Sequence, residues 1–111
     1  IFFFFLNVAH TFDDLANPKA NIGEHGFTDE ERTGIDKIHT AGFVDTFRMF
    51  TSGNGHYSWW SHFANARARN VGWRIDYWFV SKILSKKVVS STIHPEFMGS
   101  DHCPVFLEIS L

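Results

Sequence analysis

Four side chains stand where polar groups are costly and chemistry is cheap. Asp101 and His102 are adjacent in Gly99-Ser100-Asp101-His102-Cys103-Pro104, just ahead of the apolar run that ends at Leu111. Asp76 falls inside a run of alternating aromatic and aliphatic residues, and Asn7 closes the apolar run that starts at Ile1. An adjacent carboxylate and imidazole can orient a water, move a proton or bind a metal. A carboxylate in mid-strand must be paired or functional. Arg74, two residues back on the same strand face, is the local candidate for its partner. If these strands share a sheet, their ends converge on one rim. A carboxylate and an amide oxygen there suit Mg²⁺, a hard cation that keeps several waters. The reaction class this implies is metal-assisted phosphoester hydrolysis.

A second set of residues suits the same substrate. Between Tyr57 and Arg74 the chain interleaves Tyr57, Trp59, Trp60, Phe63 and Trp73 with Arg67, Arg69 and Arg74, and it carries no acid. Cations neutralise phosphates, and aromatic faces stack on bases. The alternative is that the rings are core and the arginines solvated.

The elements that must hold these groups can be read from periodicity. Ile1–Val8 is apolar without alternation and reads as a strand buried on both faces. The stretch 9–26 reads as a long irregular connection. Thr28-Asp29-Glu30-Glu31 has capping-box spacing, which starts a helix that Gly42 should end after about Thr40. A short helix is expected within Phe43–Phe50, a strand at Tyr57–Trp60 and the clearest strand at Trp73–Val80. A short helix or turn at Lys82–Lys87, a strand at Val88–Ile93 and a last strand at Pro104–Leu111 complete the order. The reading is an α/β sheet layer with helices on at least one face.

The 111 residues suffice for one domain or part of one. A net charge of −2 excludes a polycation, so any basic surface is local. The single Cys103 excludes an internal disulfide. No stretch has the length of a membrane span. The chain opens on Ile1 in what reads as mid-strand, and a partial domain is the expectation.

Several motifs then occur in a fixed order: Asn7-Val8-Ala9-His10, Asn17-Pro18-Lys19, Gly42-Phe43-Val44-Asp45-Thr46-Phe47-Arg48, Tyr57-Ser58-Trp59-Trp60, Asn65-Ala66-Arg67, Asn70-Val71-Gly72-Trp73-Arg74-Ile75-Asp76-Tyr77 and Gly99-Ser100-Asp101-His102-Cys103-Pro104. In these the chain resembles the C-terminal part of the exonuclease III family of abasic-site endonucleases, within the endonuclease/exonuclease/phosphatase superfamily. The resemblance implies an α/β fold: the C-terminal half of a four-layer α/β sandwich, with one mainly antiparallel or mixed sheet and helices on one face. It implies cleavage beside abasic sites in double-stranded DNA and 3′-to-5′ exonuclease action, with Mg²⁺ or Mn²⁺. It implies a bacterial-type, nucleoid-associated cytoplasmic protein.

By position, the resemblance makes Asn7, Asp76 and His102 catalytic and places Asn7, Asp101 and His102 at the metal. It assigns Lys19, Asn21, Asn65, Arg67, Asn70 and Trp73 to DNA, and Trp59 and Trp60 to the abasic-sugar pocket. Two departures matter. The family carries Gly-Asp-x before the site asparagine, whereas Phe4 and Phe5 stand here, and Phe cannot ionise or bind a cation. The family's N-terminal half, with a metal-binding Glu and a catalytic Tyr, has no counterpart. A half-sandwich leaves an apolar face open, so the chain alone is expected to be poorly soluble or dimeric. Two other functions fit the residues: a non-catalytic DNA-binding remnant, and a phosphoesterase of the same superfamily acting on lipid or inositol phosphates.

Overall fold

A computed structural model describes all residues, 1–111. The strands are β1 (Phe2–Phe5), β2 (Phe43–Asp45), β3 (Trp59–Trp60), β4 (Gly72–Trp73), β5 (Asp76–Ser81), β6 (Val88–Ile93) and β7 (Val105–Ile109). The helices are α1 (Pro18–Asn21), α2 (Asp29–Thr40), α3 (Thr46–Phe50) and α4 (Lys82–Ser85), with a 3₁₀ turn at Phe12–Asp14. The fold is α/β, and every strand pairing is antiparallel: β1-β5-β2, β3-β4 and β6-β7. No helix is long and apolar enough to cross a membrane.

The register of the first sheet sets the rest. Phe4 lies opposite Tyr77 and Phe2 opposite Phe79, and these four face α2. Ile35 is buried against them and Ile38 packs at the edge of the cluster. Helix α2 starts where its capping box predicts. Thr28 Oγ1 accepts from the Glu31 N–H at 3.2 Å, and Glu31 Oε1 accepts from the N–H groups of Thr28 and Gly26. Ala41 is its C-cap, and Gly42 follows with φ +101°, a left-handed value that costs glycine nothing.

The other face of this sheet carries Phe3, Phe5, Asp76 and Trp78. The β6-β7 hairpin leans on part of it. Trp78 Nε1–H donates to the Val105 carbonyl at 3.1 Å, and Thr46 and Ser91 share a buried hydroxyl hydrogen bond of 2.7 Å. Elsewhere the face is open, and Phe3 and Phe5 are exposed.

Two expectations need correction. The Ile1–Val8 run is not buried on both faces. Only Phe2–Phe5 is strand, and its burial alternates because one side meets α2 and the other meets solvent. Trp73–Val80 is not one strand either. Trp73 ends β4 in a two-stranded sheet, Arg74 and Ile75 cross over, and Asp76 opens β5.

The crossover is held by a buried ionic cluster. Arg74 Nε–H donates to Asp14 Oδ1 at 2.8 Å, and its two terminal nitrogens donate to both Asp45 oxygens at 3.0 and 2.5 Å. Arg48 reaches Asp14 Oδ1 at 2.6 Å. Arg74 is therefore not the partner of Asp76, nor a free cation for phosphate. Burial pushes the Asp14 carboxyl up, but the Arg74 charge and the hydrogen bonds from Arg74 and Arg48 outweigh it and hold it at about 2. A carboxyl lowered on folding contributes stability that is complete above its unfolded value and lost as pH falls through its folded one. Unfolding by denaturant should thus lose about 2 kcal/mol between pH ~4 and ~2 through this group. Asp14→Asn should flatten that slope. An unchanged slope in the variant would overturn this assignment.

Candidate active site

His102 and Asp76 come together although 26 residues separate them. His102 Nδ1 lies 2.8 Å from Asp76 Oδ2. A carboxylate only accepts, so Nδ1 carries the proton and Nε2 is the nitrogen left for a ligand. Asp76 is almost fully buried and His102 partly exposed. The imidazole lies at a cleft of about 560 Å³ together with Asn7, Asp101, Trp59 and Trp73. Phe5, His25, Ser61 and Ile75 complete the walls.

Ser58 brings the pair together. Its Oγ accepts from the N–H groups of Ile75 and Asp76 at 3.0 and 3.2 Å, which fixes the first residues of β5. Its carbonyl accepts from Cys103 N–H at 2.9 Å, and Trp60 N–H donates to the Asp101 carbonyl at 3.1 Å. Residues 101–103 therefore run beside β3, with Trp59 bridged to His102. Burial raises the Cys103 thiol to about 11, so it takes no part as a thiolate.

Asn7 sits at the cleft with φ +54°, left-handed for a residue other than glycine. Asparagine tolerates this region better than most residues, and such conformations cluster at functional sites. Gly26 lies close by. A Cβ there would come within 2.9 Å of the Asn7 carbonyl and 3.0 Å of the Trp73 ring, so the loop can pack this way only with glycine.

Trp59 Nε1–H donates to Asp101 Oδ2 at 3.0 Å. That bond, assisted by the His102 charge, holds the Asp101 carboxyl below its usual range. Asp101 and Asn7 are hard oxygen donors of the kind Mg²⁺ takes. They are two, and no group of three His, Cys, Asp or Glu side chains gathers anywhere in the chain. The donor set fits a hydrated cation held at one side and does not form a closed cage.

The other proposed contacts divide. Lys19 is exposed on α1, and Asn65 is exposed in the 61–71 loop with φ +54°. Asn21 Nδ2–H is occupied by the Asn17 carbonyl at 2.7 Å. Three residues lie away from the cleft. Trp60 is buried, with the Arg67 guanidinium 4.5 Å from its ring centre. Arg67 donates to the carbonyls of Ser100, Pro95 and Phe97. Asn70 accepts from Trp60 Nε1–H and donates to the Gly55 carbonyl. Their polar atoms tie loops together, and none of the three lines the cleft that holds His102. They line a larger hollow of about 650 Å³ that contains no carboxylate, so the chemistry favours the smaller cleft. Sequence reasoning gave no role to Ser58, and a lone serine in an aromatic stretch carries no signal of one.

The comparisons with known proteins bear on the family and the fold. The model of the Endonuclease/Exonuclease/phosphatase family matches residues 6–102. The chain is 51% identical over 107 residues to an exodeoxyribonuclease of Bacillus subtilis, covering 96% of the chain and 42% of that protein. It is 47% identical over 108 residues to a DNA-(apurinic or apyrimidinic site) endonuclease of Dictyostelium discoideum, covering 96% of the chain and 30% of that protein. Among solved structures, the AP endonuclease of Leishmania major superposes with a TM-score of 0.82 at 37% identity, over 93% of this chain and 32% of that one. The chain thus spans well under half the length of these relatives.

Ser58→Ala tests how the site is held. It strips the acceptor from two buried N–H groups, a loss of about 1–3 kcal/mol in denaturant unfolding. Ser58→Thr keeps the oxygen and should recover most of it. Equal stability of the alanine variant and the wild type would show that the hydroxyl does not hold β5.

Proposed function

The chain belongs to the endonuclease/exonuclease/phosphatase family, and we propose that its cleft is the histidine side of a site that hydrolyses phosphodiester bonds in DNA. The substrate we assign is duplex DNA with abasic sites or 3′ ends, as the relatives' names suggest. The observation that carries this reading is the His102–Asp76 pair at 2.8 Å, opening on a cleft shared by Asn7, Asp101, Trp59 and Trp73.

Asp76 fixes the tautomer and the direction of the imidazole, so Nε2 addresses the cleft. Protonated, Nε2–H is a charge-assisted donor to a non-bridging phosphate oxygen and favours the transition state as its charge grows. The Asn7 amide orients the attacking water. The faces of Trp59 and Trp73 exclude solvent and accept an apolar sugar face. Lys19 and Asn65 contact the phosphate backbone on either side. Family members generally depend on a divalent cation, and we assign Mg²⁺ or Mn²⁺ to Asp101 and Asn7. Such an ion would neutralise charge on the phosphate. With DNA as substrate, we assign the protein to the compartment that holds the DNA, the nucleoid-associated cytoplasm of a bacterial-type cell that the resemblance implies.

The chain alone is proposed to be nearly inactive. Position 5 offers no ionisable group, and two oxygen donors do not complete a metal site. The open sheet face bearing Phe3 and Phe5 is where the remaining part of this fold would pack. The stack of Phe5 on His102 also favours a second reading, a DNA-binding remnant that holds phosphate without cutting.

Incision of a duplex with one abasic site, in Mg²⁺, separates these. The account expects the chain to cut at least about 10²-fold more slowly than the Bacillus exodeoxyribonuclease, the scale of a missing general acid or base. His102→Ala should abolish what remains. Residual cutting that survives His102→Ala would overturn the assignment of this cleft. Binding with no cutting at all would favour the remnant.

A further inference from the structure

The β1-β5 register places Phe5 directly opposite Asp76, with both side chains on the same sheet face. His102 lies over this cross-strand pair and touches both members. Its Nδ1 meets the Asp76 carboxylate at 2.8 Å. Its ring stacks on Phe5, with centroids 4.7 Å apart and planes 26° apart. That is an offset stack at the close end of the favourable range. The two contacts restrain different motions. A hydrogen bond in the ring plane fixes where Nδ1 points but leaves the ring free to roll about the N···O axis. A second ring against its face stops the roll. Together they fix the direction of Nε2.

Phe5 does little else. It is 58% exposed and lies outside the buried clusters, in contrast to Phe2 and Phe4 on the same strand. Its other aromatic neighbour, Phe3, is more distant, at 6.5 Å. Within this chain the His102 imidazole is the close partner of this half-exposed ring at the mouth of the cleft. The contact also suits a charged imidazole, because a cation over an aromatic face is attracted to it.

We propose that Phe5 is a positioning residue, an aromatic clamp that sets the ring plane of His102 and aims Nε2 at the phosphate of a bound nucleic acid. The inference rests on the phosphate-facing role of His102 proposed above, and one arm of its test does not depend on that role.

The test uses the whole chain with Phe5→Leu, Phe5→Trp, His102→Ala and the Phe5→Leu/His102→Ala double variant. Leucine keeps the apolar bulk and removes the ring, whereas tryptophan keeps a ring. Unfolding should change little, since the side chain is outside the core. The first readout is the proton NMR of the His102 ring. Its protons should show the ring-current shift of a stacked neighbour, lost in Phe5→Leu and kept in Phe5→Trp. The second is the Kd for a duplex bearing a tetrahydrofuran abasic analogue, measured without divalent cation. Phe5→Leu should weaken binding by about tenfold, as loss of orientation does. It should cause no further loss once His102 is alanine, and Phe5→Trp should bind like wild type. Full additivity of the two losses, or binding unaffected by Phe5→Leu, would overturn the proposal. If no form binds the duplex, the function reading fails instead and the NMR arm decides alone. Ring protons indifferent to Phe5→Leu would then refute the clamp, and a loss of shift rescued by tryptophan would sustain it.

Discussion

A guanidinium with almost no access to water must be neutralised where it stands, and that requirement fixes the centre of this chain. Arg74 is 1% exposed and is satisfied by Asp14 from the 3₁₀ turn and Asp45 from the end of β2. Arg48 from α3 supplies the second positive charge, so two arginines balance two carboxylates. The rings of Tyr77 and Phe47 close over the guanidinium at 4.7 and 5.2 Å. Such a cluster is poor proof of net stability, because desolvation offsets much of its attraction. Its effect is on geometry. Removal of Arg74 or Asp14, each 1% exposed, strands a buried charge, at a cost of about 3–5 kcal/mol. The chain therefore has one way to pass from β4 to β5.

The site follows from that passage two residues later. With Arg74 turned inward, Asp76 becomes the first residue of β5, opposite Phe5 and beneath His102. Ser58 then connects the β5 backbone to the strand-like segment at 101–103. The dyad is thus set by backbone hydrogen bonds on both sides, and rigid support of this kind is what an electrostatic site requires. The exposed 61–71 loop is tied by Arg67 and Asn70 into the same frame, through the carbonyls of Ser100 and Gly55.

What the sequence made legible is what local rules govern. The capping box at Thr28 and the glycine after the helix were readable, because their partners lie within a few residues. The alternation from Asp76 onward was readable for the same reason. The start of β5 was not, since the partners of Arg74 lie 60 and 29 residues away. Periodicity alone made Arg74 the neighbour of Asp76. The motif order drew Asp76 and His102 into one site, and nothing in their spacing would have done so. Phe5 read as part of a buried hydrophobic run and as the place of a missing acid, and neither reading gave it a partner. Only the register with β5 separates the two phenylalanines that face α2 from the two that face outward. Trp60, Arg67 and Asn70 show the converse: residues of DNA-binding type are also the residues that tie irregular loops together.

The account depends on the direction of one proton. If Asp76 holds Nδ1–H and leaves Nε2 to the cleft, two-bond nitrogen–proton correlation of the neutral His102 ring will show the Nδ1-protonated tautomer as the dominant form. Asp76→Asn should release it towards the tautomer mixture of a free imidazole. A wild-type ring protonated at Nε2, or a ring indifferent to Asp76→Asn, would contradict the account.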